Sequence, residues 1–518
     1  MLMETTGSYF EYANPVIRGN SPDPSVIRVG GDYFLAVSTF EFLPGLIIRH
    51  STDLENWTII GAGVTRPAQY RRDGLPGAIM LFAPTLRYHN GTYYLVCTNM
   101  ADGQGNFMLT TTDLTADWSD AIWLDREAFD PSLFFDIDST CYYTRRSLDL
   151  SIPGGDLGPI VQGILDVTSG QLSPLRAITA GPCGFLSNDI EGPHLYRIGE
   201  WYYLFAAEGS TWIGHMQTIG RSHSPWGPFE PAPHNPVITH RNRILHPIQT
   251  LGHADLVEDP YGQWWALCLG TRHREQHHNL GRETFLLPVN WQDGWPYFGN
   301  KGGTEVSVTH SHSPQTKADK FAFRESIWTK GWHMLGQPPE DIRWQNGSKG
   351  DNIELPYGPD FVDGTIARPT SALFRFQTEE TQNFSACVAE PQPNNATGIT
   401  AYSDLEHRFE LALFCESEGK ELKRFLRFRR QVDDLITETF HQIPATGTIE
   451  MTIRAEPKAY HFSANVGGDT IDVGSGSARL LSAESCDWFV GVNFGLFAFA
   501  PTETQMIALF KNVRIWCP

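Results

Sequence analysis

The sequence is poor in charge, and most of the charge that it has is of one sign. Only 19% of its 518 residues are charged, and 59 acidic residues outnumber 39 basic ones, which gives a net charge of -20. No run of lysine and arginine offsets this excess, so a polyanion such as nucleic acid would be repelled. The composition therefore excludes nucleic acid as a partner.

Long apolar runs and paired cysteines are also missing. The longest apolar segments are broken by Gly, Pro or charge before the roughly 20 residues that a membrane helix needs. The 8 cysteines stand singly without a CxxC pair, so neither a cysteine-rich zinc site nor a disulfide framework is indicated. Residues 1–12 lack the basic head and apolar body of a secretion signal. We therefore expect no membrane partner and a cytoplasmic protein, or a secreted one from which a signal has been removed.

Aromatic residues, glycine and proline are plentiful, and the aromatic residues form a repeat. The chain has 12% aromatic residues, 48 Gly and 34 Pro, a composition typical of strands and tight turns. Five segments place two aromatic or bulky residues directly after a turn, and they recur every 49 to 62 residues. The segments are Gly31-Asp-Tyr33-Phe-Leu, Gly91-Thr-Tyr93-Tyr-Leu, Thr140-Cys-Tyr142-Tyr143, Glu200-Trp-Tyr202-Tyr-Leu and Gly262-Gln-Trp264-Trp-Ala.

This repeat predicts an all-β fold. Each aromatic segment follows a short extended run, which together make a β-hairpin, and further turn signals indicate about four strands per repeat. Five four-stranded repeats fit a five-bladed β-propeller, and a pair of β-sandwiches is the alternative. We expect the propeller over 1–300, a linker over 301–320, and a C-terminal β-sandwich over 321–518, where apolar and polar residues alternate.

Candidate functional residues follow from the repeat, because the first residues of the innermost strands of a propeller converge at its channel. Counting back 10 to 12 residues from each aromatic marker leads to Asp23, Ala83, Asp130, Glu191 and His253. Two carboxylates across a channel are the minimum needed to hydrolyse a glycosidic bond, and a third can tune the acid. An oxygen-rich site of this kind could also bind Ca²⁺.

Taken singly, each of these residues also has a structural explanation. Asp23 and Asp130 stand in Asp-Pro-Ser, a common turn sequence; Glu191 could be a loop acid, and His253 a core residue. Their shared position in the repeat is what favours a functional role.

Six motifs resemble glycoside hydrolase family 43, and more narrowly its β-xylosidase and α-L-arabinofuranosidase branch. The resemblance extends from about residue 12 to residue 516 and implies a five-bladed propeller followed by a β-sandwich. The motifs are Asn14-Pro-Val-Ile-Arg-Gly-Asn-Ser-Pro-Asp23-Pro-Ser, Phe129-Asp130-Pro-Ser-Leu-Phe, Glu191-Gly-Pro-His-Leu-Tyr, Ala207-Glu-Gly-Ser-Thr211, Gly252-His253-Ala-Asp-Leu-Val and Leu280-Gly-Arg282-Glu-Thr-Phe-Leu.

The resemblance implies an inverting exo-hydrolase that needs no cofactor. Asp23 would be the general base, Glu191 the general acid, and Asp130 the residue that orients Glu191 and tunes its pKa. His253 would lie at the base of the pocket, in some relatives beside a bound Ca²⁺. The other substrate-binding residues implied by the motifs are Arg282, Phe40, Phe82, Thr211 and Phe494. Phe494 would belong to a loop that closes the pocket, although an apolar strand with a glycine is an equal reading of Val492-Asn-Phe494-Gly-Leu-Phe497.

The expected substrate is a terminal pentose on arabinoxylan or a xylo-oligosaccharide. Relatives often have Trp-Ala-Pro where this chain has Phe82-Ala83-Pro84, and the smaller ring favours arabinofuranose slightly over xylose. Two alternatives stay open at this point: a carbohydrate-binding propeller without catalysis, and a retaining fructan-cleaving enzyme. The sequence makes no prediction of the oligomeric state.

Overall fold

The chain divides into two units, each rich in β-strands. The computed structural model describes residues 10–75, 77–148, 159–179, 185–187, 189–316, 321–335, 342–358, 371–391, 393–418, 421–486, 490–501, 504 and 506–518. The first unit comprises residues 1–272 and 283–324, and the second comprises 273–282 and 325–518. Within the described ranges, no helix has the length and apolar character needed to cross a membrane.

The first unit is a five-bladed β-propeller, as the aromatic repeat predicts. Each blade is an antiparallel sheet whose strands come from one continuous stretch of the chain. The first blade consists of β2 (Ser25–Val29), β3 (Asp32–Val37), β5 (Gly45–Ser51) and β6 (Thr58–Val64), and the second of β7 (Thr85–His89), β8 (Thr92–Asn99), β9 (Gly105–Thr111) and β10 (Ile122–Trp123). The third blade consists of β11 (Ser132–Phe135), β12 (Cys141–Arg146), β13 (Ile160–Asp166), β14 (Gln171–Leu172) and β15 (Arg176–Ala177). The fourth blade consists of β16 (Ile190–Ile198), β17 (Trp201–Glu208), β18 (Met216–Ser222) and β19 (Glu230–Pro231), and the fifth of β20 (Ile248–Glu258), β21 (Trp264–Arg272), β22 (Glu283–Gln292) and β23 (Trp295–Phe298). Further short elements of this unit are β4 (Phe42–Leu43) and 3₁₀ turns at Pro67–Gln69 and Ala101–Gly103.

The paired aromatic residues fill the spaces between blades. Adjacent residues of a strand face opposite sides of its sheet, so each pair on a second strand serves two neighbouring blades. Tyr33 packs in the cluster between the fifth and first blades, whereas Phe34 packs between the first and second. Tyr142 and Tyr143 divide in the same way between the third blade's two neighbours. The described residues form five such apolar clusters in this unit, one for each blade interface.

The two ends of the propeller sequence meet at the fifth blade. Strand β1 (Phe10–Ala13) pairs with β24 (Ser307–His310), and Ile17 forms a bridge to Thr284 in β22. The Asn14 amide donates to the Leu286 carbonyl at 3.0 Å and to Thr304 Oγ1 at 2.8 Å. The described part of the predicted linker, 301–316, therefore contains β24, a strand of the first unit. Residues 317–320 lie outside the described residues, and the predicted linker bounds stay a prediction.

The second unit is the predicted β-sandwich. One sheet has the order β33-β32-β31-β30-β37-β28-β25 and the other the order β26-β27-β38-β29-β34-β35-β36. The strands are β25 (Trp332–Leu335), β26 (Arg343–Gln345), β27 (Asp351–Pro356), β28 (Ala372–Phe376), β29 (Gln382–Val388), β30 (Ala396–Tyr402), β31 (His407–Glu418), β32 (Glu421–Val432), β33 (Leu435–Ile443), β34 (Ile449–Glu456), β35 (Ala459–Val466), β36 (Asp469–Ser477), β37 (Asn493–Phe499) and β38 (Ile507–Trp516). The helix α1 (Ala483–Cys486) follows a 3₁₀ turn at Ala478–Leu481, and another 3₁₀ turn lies at Trp328–Lys330. Apolar residues from both sheets form one core.

Replacing Trp265 with Ala tests the role of the aromatic pairs. The side chain is fully buried between the fifth and first blades, so we expect Trp265→Ala to lower the free energy of unfolding by about 3–5 kcal/mol. Urea unfolding followed by tryptophan fluorescence and circular dichroism measures the change. Tyr261→Ala is the control, because Tyr261 belongs to the same blade and is 62% exposed. Equal stability of the two variants would contradict the packing role.

Candidate active site

The first residues of the innermost strands are defined by the strand register. Ser25, Thr85, Ser132, His194 and Asp255 begin the regular pairing of each innermost strand with its neighbour. Two residues before each of these lie Asp23, Ala83, Asp130, Gly192 and His253. On the fourth blade the equivalent position is thus Gly192, so the predicted equivalence of Glu191 is wrong by one residue.

Four of these five positions share an unusual backbone conformation. The φ angles of Asp23, Asp130, Gly192 and His253 are +51°, +57°, +54° and +47°. Non-glycine residues rarely adopt positive φ, and such strain tends to persist at functional sites where the surroundings enforce it. The shared conformation supports the equivalence of the four positions. It turns the backbone just before each of the four innermost strands begins its regular pairing.

Side chains from the first and fifth blades meet at this point. His253 Nδ1 lies 3.4 Å from Asp23 Oδ1, and the two residues are only 6% and 4% exposed. The His253 ring also faces Gly192, since a Cβ on that glycine would stand 2.9 Å from ring atoms. The structure therefore brings Asp23 and His253 together, as the repeat predicts.

Asp130 joins the third blade to the fourth. The Gly192 backbone N–H donates a hydrogen bond of 2.9 Å to Asp130 Oδ2. Burial raises the pKa of Asp130 well above its ordinary value, and the nearby Glu191 and Asp23 carboxylates raise it further. The hydrogen bond ties Asp130 to the backbone immediately after Glu191.

Glu191 is held by a cation that the sequence analysis did not identify. Arg146 Nη1 lies 2.8 Å from Glu191 Oε2 and 2.9 Å from Asp189 Oδ1. Burial raises the pKa of Glu191 to about 7; Arg146 opposes the rise, whereas Asp189 and Asp23 add to it. A carboxyl group with a pKa near neutrality suits a general acid. The arginine pair at 145–146, which ends an aromatic strand, was the available signal for this role.

Three phenylalanine rings make a continuous aromatic surface in the same unit. The Phe40 and Phe82 ring centroids are 5.9 Å apart, and those of Phe82 and Phe129 are 5.5 Å apart, both edge to face. The Arg146 guanidinium lies over Phe129 at 5.1 Å. Phe40 is 2% exposed, so Phe82 and Phe129, which are half-buried, present the accessible rings of this group.

A polar layer lies two residues further along each innermost strand. Arg87 Nη1 donates to Asp255 Oδ2 at 2.8 Å, and Ser25 Oγ donates to the same atom at 2.8 Å. Arg87 Nη2 donates to His194 Nδ1 at 3.1 Å, and Ser132 Oγ lies 3.1 Å from that nitrogen. Burial lowers the pKa of His194 to about 3, so this ring is neutral at neutral pH.

Glu208 supports the segment that precedes Glu191. Its carboxylate is fully buried and accepts backbone N–H bonds from Phe185, Leu186 and Ser187 at 2.9, 3.0 and 2.6 Å. Its strand β17 is the direct neighbour of β16, in which Glu191 pairs with Ala207. The motif Ala207-Glu-Gly-Ser contained this residue, but nothing in its spacing indicated a buried anchor.

The remaining predicted residues have different outcomes. Phe494 lies in β37, is fully buried and stacks on Phe384 at 5.5 Å in the sandwich core, so the predicted closing loop is a strand and Phe494 is not on a pocket wall. Arg282 is buried and ends the segment 273–282 of the second unit. Thr211 is half-buried in the turn after β17. The sugar-binding roles of Arg282 and Thr211 stay predictions.

Comparison with known proteins identifies the family. Residues 12–296 match the model of glycosyl hydrolases family 43, and residues 320–515 match that of the β-xylosidase C-terminal concanavalin A-like domain. A non-reducing end α-L-arabinofuranosidase from Bacteroides ovatus is 34% identical over 94% of this chain and 91% of its own. A β-xylosidase from Bacillus subtilis is 36% identical over 80% of each chain.

Solved structures agree with this result. A protein described as Bacteroides ovatus Xyloglucan PUL GH43B has a TM-score of 0.85 and 32% identity, with 98% of this chain and 100% of that chain covered. A xylan β-1,4-xylosidase from Bacillus halodurans has a TM-score of 0.85 and 25% identity over 97% and 99% of the two chains. The resemblance seen in the six motifs is thereby confirmed. The chain belongs to glycosyl hydrolase family 43 and is a glycosidase with a five-bladed propeller and a C-terminal β-sandwich.

Proposed function

We propose that this glycosidase releases terminal α-L-arabinofuranosyl units, and less efficiently β-D-xylosyl units, from arabinoxylan and xylo-oligosaccharides. The observation that carries the proposal is the meeting of three carboxyl groups in the propeller, one of them with a pKa raised to about 7. The sugar assignment rests on the arabinofuranosidase and xylosidase relatives and on Phe82, whose ring is smaller than a tryptophan.

Asp23 acts as the general base. Its carboxylate is positioned by His253, and it removes a proton from the water that attacks the anomeric carbon. Glu191 acts as the general acid and protonates the departing glycosidic oxygen. Because water attacks directly from the side opposite the leaving group, the product has the inverted configuration.

Asp130 is a positioning residue in this mechanism. Its hydrogen bond to the Gly192 N–H fixes the backbone next to Glu191, and its position close to Glu191 and Asp23 couples the three groups electrostatically. Arg146 holds the Glu191 carboxyl group in place and limits the rise of its pKa. Burial and the charges on Arg146, Asp189 and Asp23 together set the pH at which Glu191 loses its proton.

Glycoside and water suffice for this chemistry. His253 lies against the Asp23 carboxylate, against the His194 imidazole at a centroid distance of 6.0 Å and against Gly192. No step of the proposed reaction requires Ca²⁺.

Hydrolysis of nitrophenyl α-L-arabinofuranoside and β-D-xyloside tests the proposal. We expect a higher kcat/KM for the arabinofuranoside, and proton NMR should show the β-anomer of arabinose as the first product. Asp23→Ala should lower kcat by about 10²–10⁴-fold, because the attacking water loses its base. Asp113→Ala, an exposed turn residue, is the control and should stay active. Retention of configuration, or a fully active Asp23→Ala, would refute the mechanism.

The pH dependence of kcat/KM tests the assignment of Glu191. The acid must be protonated, so activity should fall as the pH rises through about 7, where Glu191 ionises. Asp189→Asn removes a charge that raises this pKa and should move the alkaline limb about one pH unit lower. Arg146→Met should move it in the opposite direction. Glu127→Gln, which removes a partner of the adjacent Arg145, should leave the limb in place. A limb unaffected by both Asp189→Asn and Arg146→Met would contradict the assignment.

Gly192→Ala separates backbone strain from disturbance of the site. Both Gly192 and Gly199 have positive φ, at +54° and +62°, but a Cβ contacts His253 only at Gly192. We expect both alanine variants to be destabilised by about 1–2 kcal/mol from strain. Gly192→Ala alone should also lose about tenfold or more in kcat, since it displaces His253 and the N–H bonded to Asp130. Steady-state kinetics and urea unfolding measure the two effects, and an equal loss of kcat in Gly199→Ala would rule out the local explanation.

A further inference from the structure

Three histidines and a glutamate form a cluster in the second unit, apart from the residues assigned to catalysis. His273, His277 and His278 come from the segment 273–282, and Glu484 comes from α1. This segment joins β21 to β22 along the chain and groups by its contacts with the second unit. The pattern His-x-x-x-His-His was not assigned a role from the sequence.

The cluster has the spacing of a metal site. Glu484 Oε1 lies 2.8 Å from His278 Nδ1 and 3.9 Å from His273 Nε2. His273, His278 and Glu484 each supply one potential ligand atom, and these three atoms all lie within 4.8 Å of one another. The rings of His273 and His278 stack, with centroids 4.9 Å apart and an interplanar angle of 17°. Three potential ligand atoms are therefore close enough together to share one ion.

One ring nitrogen of His273 has no hydrogen-bond partner among the described residues. This nitrogen is Nε2, which is buried. The His273 side chain is 11% exposed, and that of His278 is 2% exposed. A buried nitrogen without a partner is costly, and coordination of a metal ion would satisfy it.

The other oxygen of Glu484 fixes the carboxylate in position. Glu484 Oε2 accepts a hydrogen bond of 3.1 Å from the His278 backbone N–H and lies 3.6 Å from His277 Nδ1. Support of this kind orients the carboxylates and imidazoles that bind metals. Glu484 can thus bind an ion through Oε1 while Oε2 accepts the hydrogen bond from the His278 backbone N–H.

We propose that His273, His278 and Glu484 bind one divalent transition-metal ion, with Zn²⁺ as the preferred ion and water as the fourth ligand. Two imidazoles and one carboxylate suit zinc, whereas Ca²⁺ and Mg²⁺ prefer oxygen ligands alone. The ion would crosslink the segment 273–282 to α1 and so fix the backbone that leads to Arg282. The site is independent of the proposed reaction.

A second group in the same unit is less suitable. Asp404, His407 and Cys486 also lie close enough to share an ion. However, His407 Nδ1 already lies 3.0 Å from both Asp404 oxygens, and Cys486 Sγ donates to Ser403 Oγ at 3.2 Å. In this second cluster, one ring nitrogen of His407 and the Cys486 thiol are already hydrogen-bonded, and His407 Nε2, which has no hydrogen-bond partner among the described residues, lies 3.7 Å from Asp433 Oδ1.

Metal content of the purified full chain tests the proposal. The protein is stripped of metal with EDTA, equilibrated with ZnCl₂ and desalted, and its zinc content is measured by inductively coupled plasma mass spectrometry. Isothermal titration calorimetry of the stripped protein measures the zinc affinity. We expect about one Zn²⁺ per chain. In His273→Ala and Glu484→Gln, affinity should fall by at least about tenfold. Glu484→Gln keeps an acceptor for the His278 N–H and so preserves the local fold.

Two further variants make the result specific. His461→Ala removes an exposed histidine of the same unit and should retain the zinc. Cys486→Ser should also retain it; loss of zinc there, with retention in His273→Ala, would assign the ion to the second cluster and overturn the proposal. Wild-type protein that elutes without zinc would overturn it as well. Circular dichroism in EDTA checks that each variant is folded, and substitution with Co²⁺ should give visible absorption bands that His273→Ala lacks.

Discussion

Closure of five blades into a ring is the constraint on which the active site depends. The five apolar clusters between blades hold the innermost strands around one axis, so the first residue of each strand must meet the others. Acids at these positions are forced together in a buried place. Burial, and to a smaller extent repulsion from neighbouring carboxylates, raises the pKa of Asp130 and Glu191. A raised pKa is the property that a general acid requires. Packing at the blade interfaces thus produces the electrostatics of the site.

In the polar layer two residues further along the innermost strands, a cation compensates the charge of a buried carboxylate. Burial alone would raise the pKa of Asp255, but Arg87 outweighs burial and holds that pKa below its ordinary value. The pair Arg87–Asp255 is therefore ionised and internally neutral, and His194 beside it carries no charge. The floor of the site adds no net charge to the three carboxyl groups above it. The protonation of Asp130 and Glu191 depends instead on burial, on the neighbouring carboxylates and on Arg146.

The blade count and three of the acids could be predicted from sequence because they follow from local patterns. A pair such as Tyr142-Tyr143 must supply two blade interfaces, so it marks each second strand, and the strand before it can be located by counting. The arginine pair at 145–146 stands out in the sequence, but the role of Arg146 could not be located by counting, since its partners Glu191 and Asp189 lie over 40 residues away. Phe494 was misplaced because an apolar strand with a glycine and an apolar loop look alike without their neighbours. The grouping of 273–282 with the second unit likewise depends on contacts that no local pattern records.

The difference between Glu191 and Gly192 shows how a repeat is adapted for one residue's chemistry. The fourth blade has an extra residue in β16, because the pairing shifts between Glu191 and His194, and the fifth blade has the same shift in β20 between Gly252 and Asp255. A bulge of this kind turns the strand and redirects a side chain, and it is often found at active sites. The position equivalent to Asp23 and Asp130 is then left to glycine, whose N–H binds Asp130 and whose missing side chain leaves room for His253. Because glycine at this position has no side chain, the acid is Glu191, one residue earlier, and Arg146 of the third blade contacts it there. A carboxylic side chain at position 192 would stand directly against His253, so the position of the acid at residue 191 separates it from the base that the histidine supports.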